Sequence, residues 1–391
     1  MKDSNKIVIA MSGGVDSSVA ASIIKEKGYQ AVGISLQLWN YSESDNRFGT
    51  CCSLDDLADA RRVAEKVGIP FYILNMEKKF KEEVVDYFIS EYMQARTPIP
   101  CTLCNQKLKF DEMIQKAESF GVQRVATGHY ASIVKHKSGR FLVRRGRDRW
   151  KDQSYFLFNL SQDQLSRLEF PLGDMDKNEV RERARQLGLN VADKAESHEI
   201  CFIPDNDYPK FIAKQLNDDA FKQGEIVNSK GEVLGKHQGY PAFTIGQRKG
   251  LNLGGLKEPH FVTHIDPVNN RITVGTKKEL ERANCVVGQV TWSLDVEEST
   301  RADVQIRYRH QSVPAKITKI DDSRVRVEFD QPQISIAPGQ SAVFYQEDCV
   351  IVVGGLNEPG GHRRSGSCAS SRKDSSRACQ RYWKNFFQGF S

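Results

Sequence analysis

Apolar and polar positions follow two different periods along the first 130 residues. Lys6-Ile7-Val8-Ile9-Ala10, Ala31 to Trp39 and Ile69 to Met76 are apolar runs of strand length. Val19, Ala20, Ile23 and Ile24 fall instead at helical spacing, and Leu54 to Val67, Lys79 to Ala95 and Asn105 to Phe120 read as helices. Arg124 to Ala131 predicts a further strand, and Lys177 to Leu187 a further helix stopped by Gly188. Alternating strand and helix predicts an α/β fold: a parallel sheet with helices on both faces and a ligand at the carboxyl ends of its strands.

Past about residue 205 the pattern shortens. Gly224 to Val227, Gly231 to Leu234 and Arg271 to Val274 are brief strand-like pieces, and 285 to 353 continue in that manner, with Arg324 to Phe329 alternating in period two. At 391 residues, two or three domains are expected. The predicted division is a nucleotide-binding catalytic domain over 1–205, a small β-rich domain over 206–280, a C-terminal β-barrel over 281–355 and a disordered basic tail over 356–391.

Between the first strand and the first helix lies Met11-Ser12-Gly13-Gly14-Val15-Asp16-Ser17-Ser18. Adjacent glycines let the backbone approach a ligand, and the following helix offers unpaired N–H groups at its positive end. Ser12, Ser17 and Ser18 add hydroxyls, so the loop suits a nucleotide's phosphates. It lacks the Gly-Lys-Ser/Thr ending of a Walker loop, which disfavours ordinary γ-phosphoryl transfer. Ser-Gly-Gly-Val-Asp-Ser resembles instead the pyrophosphate loop of ATP pyrophosphatases, which cleave ATP between its α and β phosphates to adenylate a substrate. The alternative is a plain Gly-Ser turn opening a helix. Thr127-Gly128-His129-Tyr130 closes a predicted strand, where a close-approach glycine would face the same ligand.

Charge adds less than its total suggests. The formal +6 is all in the stretch from His362 onward, which has seven basic residues and one acid. Overall basicity therefore says nothing about nucleic acid. One internal patch remains: Lys135, Lys137, Arg140, Arg144, Arg145, Arg147, Arg149 and Lys151, diluted by Asp148. It fits either a phosphate backbone or a solvated hairpin, since Ser138-Gly139 separates two strand-like runs, 131–135 and 140–144. No apolar run reaches membrane-spanning length and the N-terminus has no signal-peptide core, so a cytoplasmic protein without a membrane partner is expected.

Nine cysteines are too irregular for a secreted disulfide framework. Cys104 opens a predicted helix, where the dipole and Lys107 favour thiolate. Cys201, in Ser197-His198-Glu199-Ile200-Cys201-Phe202-Ile203-Pro204, sits on a strand or loop edge that would present a thiol to a cleft. Cys285 and Cys349 lie inside strand-like runs and read as buried apolar residues. Cys51 and Cys52 are ambiguous at a helix start. Cys101-x-x-Cys104 alone is half a zinc site with no second half.

Taken in order, Ser12 to Ser18, Cys104-Asn105 with Lys109-Phe110, Ala126 to Tyr130, Lys151 to Phe156, Ile200 to Ile203, Thr244 to Leu251 and Pro338 to Tyr345 resemble the bacterial tRNA-specific 2-thiouridylases. The match runs from about residue 6 to 355, across all three suspected domains. The resemblance implies an adenine nucleotide alpha hydrolase-like first domain and replacement of oxygen by sulfur at C2 of the wobble uridine in tRNA. It implies ATP and Mg²⁺, the anticodon region of tRNA as partner, and a sulfur-donor protein of a persulfide relay. ATP would be held by Ala10, Met11, Ser12, Gly13, Gly14, Val15, Asp16, Ser17 and Ser18, with Leu36 and Gly128. The target base and tRNA would be held by Ile99, Pro100, Cys101, Lys151, Asp152, Gln153, Arg307 and Tyr308. Cys201 would carry the persulfide, and Cys104 would attack its S–S bond to release product and leave a disulfide.

One position departs from the family. Many members carry Asp three residues before the first catalytic cysteine, where this chain has Cys101. Cys101, Cys104 and Cys201 then also form a candidate iron–sulfur ligand set with one open iron site. The persulfide route needs only Cys104 and Cys201 and is the favoured one. Another pyrophosphate-loop adenylating enzyme, a tRNA lysidine synthetase or an amidotransferase-type synthetase, is the competing reading, but it needs no paired thiols. An RNA-binding module with a vestigial ATP loop is a third, which ATP turnover to AMP would exclude.

Overall fold

The computed structural model describes residues 5–39, 53–195, 200–203, 206–216, 221–255 and 257–356. The expectations for Cys51, Cys52 and the tail after Leu356 lie outside these. The first part of the chain carries β1 (Lys6–Ala10), α1 (Val15–Glu26), β2 (Gln30–Gln37), α2 (Leu54–Val67) and β3 (Phe71–Asn75). Helices α3 (Glu77–Phe80), α4 (Asp86–Met93), α5 (Pro100–Leu103) and α6 (Met113–Ser119) follow, then β4 (Arg124–Thr127). The hairpin β5 (Ala131–Lys135) and β6 (Phe141–Arg145) precedes α7 (Gln162–Arg167), β7 (Leu168–Glu169), α8 (Lys177–Gln186) and α9 (Tyr208–Gln215).

Strands β1, β2, β3, β4 and β7 make one parallel sheet in the order β3-β2-β1-β4-β7. Ile7, Val8 and Ile9 of the central strand are wholly buried, as a strand covered on both faces requires. Val8 packs with Phe80, Phe88, Leu108 and Phe110 on one face, while Ile7 and Ile9 meet Val19, Ala20, Ala60 and Val63 of α1 and α2 on the other. Strand order reverses between β1 and β4, the place where such sheets bind ligands. The loop after β1 lies there.

Several predicted boundaries shift for local reasons. The expected strand 124–131 breaks at Thr127, because the chain turns through Gly128 and re-enters a different sheet at Ala131. The helix predicted from Lys79 starts at Glu77 and contains a π-helical stretch, Lys81–Val85. The one predicted from Asn105 begins at Pro100, whose ring suits the first helical turn, and passes through a π-helical stretch, Cys104–Glu112. Cys104 is therefore one turn inside a helix rather than at its start.

Beyond α9 come β8 (Gly224–Val227), β9 (Val233–His237), β10 (Phe261–Asp266), β11 (Arg271–Gly275) and α10 (Lys277–Leu280), the strands forming a sheet in the order β10-β11-β8-β9. The strand expected over 231–234 is displaced toward His237. The last part has β12 (Arg282–Trp292), β13 (Ser299–Gln305), β14 (Val313–Asp321), β15 (Arg324–Gln333), β16 (Ser341–Gln346) and β17 (Cys349–Leu356). Here β12 pairs with both β15 and β17 and closes the six strands on themselves around Val287, Val304, Ile317, Val327 and Phe344. The hairpin β5–β6 joins this sheet through β17, which sequence reading did not foresee.

The three parts meet at Thr97. Its N–H donates to the Pro338 carbonyl at 2.7 Å, its carbonyl accepts from Gln340 Nε2 at 2.9 Å, and its hydroxyl donates to Thr244 Oγ1 at 3.3 Å. The segments around Thr244 and Pro338, singled out in the sequence, thus fix the chain just before Ile99 and Pro100. No helix among the described residues is long and apolar enough to cross a membrane.

Candidate active site

The loop after β1 is built by its own hydroxyls. Gly14 caps α1 without a side-chain bond to the helix N–H groups. Its carbonyl accepts from Ser17 Oγ at 3.1 Å and Ser18 Oγ at 2.8 Å, and Ser17 Oγ also accepts from the Ser12 N–H at 3.1 Å. Ser17 and Ser18 are buried and shape the loop, while Ser12 is exposed on it. Gly13 has φ +76°, and a Cβ there would stand 2.0 Å from the Asp56 carbonyl oxygen of α2. Only glycine allows both the conformation and the contact. Met11, Val15 and Leu36 have buried side chains that support the loop from the core, and Ala10 is half-buried at the end of β1.

Two lysines that the sequence reading passed over flank this loop. Lys194 Nζ lies 3.2 Å from the Gly13 carbonyl, 2.6 Å from Asp56 and 2.5 Å from Asp59. Burial opposes its charge, but the two carboxylates outweigh that and hold Lys194 above its usual value. Burial likewise opposes the charge on Asp59, yet Lys194, Arg62 and Asn190 hold that carboxyl below the usual range. Lys177, the first residue of α8, reaches both oxygens of Asp16 at 2.7 and 2.9 Å. Tyr130 donates its hydroxyl to the same Asp16 Oδ1 at 2.7 Å. The signal available in sequence was only that each lysine belongs to a segment with no other evident role.

Gly128 presses on the loop from β4, and His129 beside it is half-buried. Its Nδ1 is 2.7 Å from Thr127 Oγ1 and its ring packs on Phe110 and Phe170. Burial, with Lys109 nearby, takes His129 down to about 3, so it is neutral at physiological pH.

Cys104 is 6% exposed and belongs to the same apolar cluster as Phe80, Phe88 and Phe202; Cys201, half-buried, packs on the edge of that cluster. The segment carrying Cys201 is anchored by Phe202, whose ring meets Trp39, Phe80, Phe88 and Phe211 at centroid distances of 5.3 to 6.3 Å. Cys101 is exposed on α5. Among the described residues no group of three or more His, Cys, Asp or Glu is arranged to hold a metal ion, so Cys101, Cys104 and Cys201 are not gathered as a ligand set. Cys285 is buried, its thiol pushed up to about 12 by burial, as expected of a packing residue. Cys349 is only half-buried, at the start of β17, where that strand pairs with β6.

The residues expected to hold tRNA divide into supports and surface. Asp152 accepts from the Gly146 and Ser154 N–H groups and from Ser154 Oγ. Burial raises its carboxyl against these bonds. Gln153 Oε1 accepts from the Tyr130 N–H at 3.0 Å, and the Gln153 N–H donates to the Tyr130 carbonyl at 2.9 Å. Both side chains hold the turn that displays Lys151. Tyr308, exposed on one side, lies with its ring centroid 4.3 Å from that of Phe156. The Phe156 carbonyl accepts from Asn105 Nδ2, next to Cys104, at 3.2 Å. Arg307 donates to the Ile245 carbonyl, and burial holds its guanidinium below the usual value.

The basic patch is mostly committed to the fold. Arg144 pairs with Asp174, Arg145 and Arg149 with Asp348, and Arg147 with Asp176 and Glu179. Arg140 donates to the Ser293 and Trp292 carbonyls of the barrel. Lys135 and Lys137 remain exposed on the hairpin.

The chain is similar to several known proteins. The chain matches the families described as tRNA methyl transferase HUP domain over residues 5–205, tRNA methyl transferase PRC-barrel domain over 209–276 and aminomethyltransferase beta-barrel domain over 282–355. It is 48% identical over 357 residues to the tRNA-specific 2-thiouridylase MnmA of Geobacter metallireducens, covering 90% of this chain and 96% of that one. It is 46% identical to the protein of that name from Geotalea uraniireducens, covering 88% and 93%. A 4-thiouridine synthetase–RNA complex with bound ATP aligns at 18% identity and a TM-score of 0.31, over 55% of this chain and 51% of that one.

Proposed function

The chain belongs to the tRNA-specific 2-thiouridylase family and is a tRNA-uridine 2-sulfurtransferase; from that premise we propose how its residues divide the work. ATP lies with its phosphates over Ser12 to Ser18, against Gly128. The C2 oxygen of the wobble uridine attacks the α phosphorus, the uridine N3 proton is lost, and pyrophosphate leaves. This turns a poor leaving group into AMP.

Cys201 carries a terminal persulfide sulfur supplied by a donor protein. That sulfur attacks C2 and expels AMP, leaving the base joined to Cys201 through an S–S bond. Cys104 thiolate attacks the Cys201 sulfur, the electron pair of the broken bond goes to the base sulfur, and N3 regains a proton to give 2-thiouridine. The Cys104–Cys201 disulfide needs a dithiol reductant for the next turnover. Support comes from Cys104 and Cys201 sharing one apolar cluster, whose low polarity excludes the water that would hydrolyse an adenylated base.

Lys151 and Tyr308 are the proposed tRNA contacts: a half-buried cation on a turn fixed by Asp152 and Gln153, and an aromatic face open to a base. Extrusion of the wobble base from its stack would bring C2 to the thiols.

The residues do not fit an iron–sulfur cluster, for the reason of geometry given above. The loop's own carboxylate, Asp16, has its oxygens engaged by Lys177 and Tyr130. Mg²⁺ is proposed to arrive as the counter-ion of ATP. The observation that carries this reading is the intact loop at the sheet's switch point with the thiol-bearing cluster on the same sheet. Release of AMP and pyrophosphate from ATP that depends on added tRNA tests it.

A further inference from the structure

Residues 93–97, which lead from α4 to α5, are tied down by the two later parts of the chain. Tyr240 donates its hydroxyl to the Met93 carbonyl at 2.8 Å, and Ala95 packs against the cluster of Ile226, Val262 and Ile272. Ala95 has φ +57°, a left-handed conformation that a residue with a Cβ seldom adopts. Contacts from outside α4 therefore hold this bend.

Gln340 supplies the longest of these ties. It stands 243 residues after Thr97, is only 9% exposed, and gives its amide N–H to the Thr97 carbonyl. A buried amide is costly unless it is bonded, so packing alone gives no reason for a glutamine. The turn that carries it is itself anchored: the Leu356 N–H donates to the Gln340 carbonyl at 2.7 Å, and the Gly339 N–H to the Leu356 carbonyl at 3.3 Å. A Cβ on Gly339 would stand 2.8 Å from the Thr97 nitrogen and 2.9 Å from its oxygen, so the barrel meets this segment backbone to backbone.

Thr97 begins a stiff lever. Pro98 and Pro100 are buried with φ fixed by their rings, and the Ile99 carbonyl accepts from both the N–H and the hydroxyl of Thr102. Cys104 lies one turn further, its N–H bonded to the Pro100 and Cys101 carbonyls. A shift at Thr97 is passed on to Cys104. The loop after β1 is built instead from bonds among its own residues.

We propose that Gln340 is a positioning residue for the last step of sulfur transfer: through Thr97, with Thr244 as a second hold, it sets where Cys104 stands against Cys201. The proposal rests on the persulfide reading above. In that step the Cys104 thiolate attacks the Cys201 sulfur, the S–S bond between Cys201 and the base breaks, and its electron pair leaves on the base sulfur. Losing the tie displaces Cys104 but leaves adenylation and the attack on C2 in place. The base then stalls on Cys201.

Single-turnover reactions test this with Gln340→Glu, which keeps the size of the side chain but has no N–H to donate. Wild type, Gln340→Glu and Cys104→Ser are persulfidated with inorganic polysulfide, freed of excess, and mixed with ATP and tRNA without reductant. The wild type should release 2-thiouridine tRNA, and Cys104→Ser should hold a tRNA–protein adduct on a non-reducing gel. Gln340→Glu should release pyrophosphate like the wild type, form the same adduct, and clear it about 10- to 100-fold more slowly than wild type, the effect of a misplaced reacting group. Dithiothreitol should free 2-thiouridine tRNA from both adducts, because a small dithiol takes the place of Cys104.

Folded Gln340→Glu that releases product as fast as the wild type, or that stops before pyrophosphate release, would overturn the proposal alone. Absence of any adduct in Cys104→Ser would overturn the persulfide reading with it. Should Gln340→Glu not fold, Thr244→Val, which withdraws the acceptor of the Thr97 hydroxyl, decides the matter. Accumulated adduct supports the proposal, and release at the wild-type rate contradicts it.

Discussion

A Cβ on Gly128 would lie 2.7 Å from the backbone nitrogen of Ser17 and 2.7 Å from the carbonyl carbon of Asp16. The end of β4 therefore touches the first turn of α1 backbone to backbone, and the two sides of the nucleotide cleft are fixed against each other. Replacing Gly128 with Ala must push them apart, since neither contact is a flexible side chain.

The Gly128→Ala protein should lose about 1–3 kcal/mol of stability to overpacking. Its ATP affinity should fall further than that of a surface variant of equal stability. Thermal melts with and without ATP read both: a lower Tm and a diminished ATP-induced rise.

The Lys194 clamp sets a pH window. Asp59 is held below its usual value, so its contribution is present above the unfolded carboxyl's pKa and is lost as pH falls through the lowered one. Lys194 is held above its usual value, so its contribution is present below the unfolded pKa and is lost as pH rises through the raised one. The brace is intact across neutral pH. Lys194→Met should cost about 1–3 kcal/mol there by leaving Asp56 and Asp59 facing each other. In denaturant titrations the difference from wild type should shrink toward strongly acid pH, where Asp59 is protonated.

Cys101 is exposed and is not gathered with Cys104 and Cys201 in a metal-binding group. Cys101→Asp should keep most of the thiolation activity, within about tenfold of wild type. Iron and sulfide analysis of anaerobically purified protein should find no stoichiometric cluster in either form. Stoichiometric iron, lost together with turnover in Cys101→Asp, is the contrary result.

Cys285 tests the distinction between working and packing thiols. It is 1% exposed among Val287, Val304 and Val327 in the barrel. Cys285→Ser should cost about 1–3 kcal/mol through burial of a hydroxyl. Its specific thiolation activity, per folded molecule, should match wild type.

What could be read from the sequence was local. Gly13, Gly14, Ser17 and Ser18 form their loop from bonds within five residues, so the motif and its geometry coincide. The same holds for the hairpin about Ser138-Gly139. Contacts across long stretches of chain were not legible: Lys177 to Asp16, Lys194 to Gly13, Gln340 to Thr97. The arginines of residues 140–149 show why. Their charge is plain in the sequence, but Asp348, which pairs with two of them, is some 200 residues away and arrives only when β17 pairs with β6. The role of Asp152 was hidden similarly, because a buried carboxylate holding its own turn and an exposed one facing RNA are the same letter.

The central claim is that Cys201 delivers sulfur to C2 of the tRNA wobble uridine. Mass spectrometry of nucleosides from the tRNA of cells lacking this protein tests it most directly, with the wild-type or the Cys201→Ser chain restored. The account predicts loss of 2-thiouridine, its return with the wild type, and none with Cys201→Ser, although that variant still binds ATP and tRNA. Unchanged 2-thiouridine in the deletion strain, or its return with Cys201→Ser, would contradict the account.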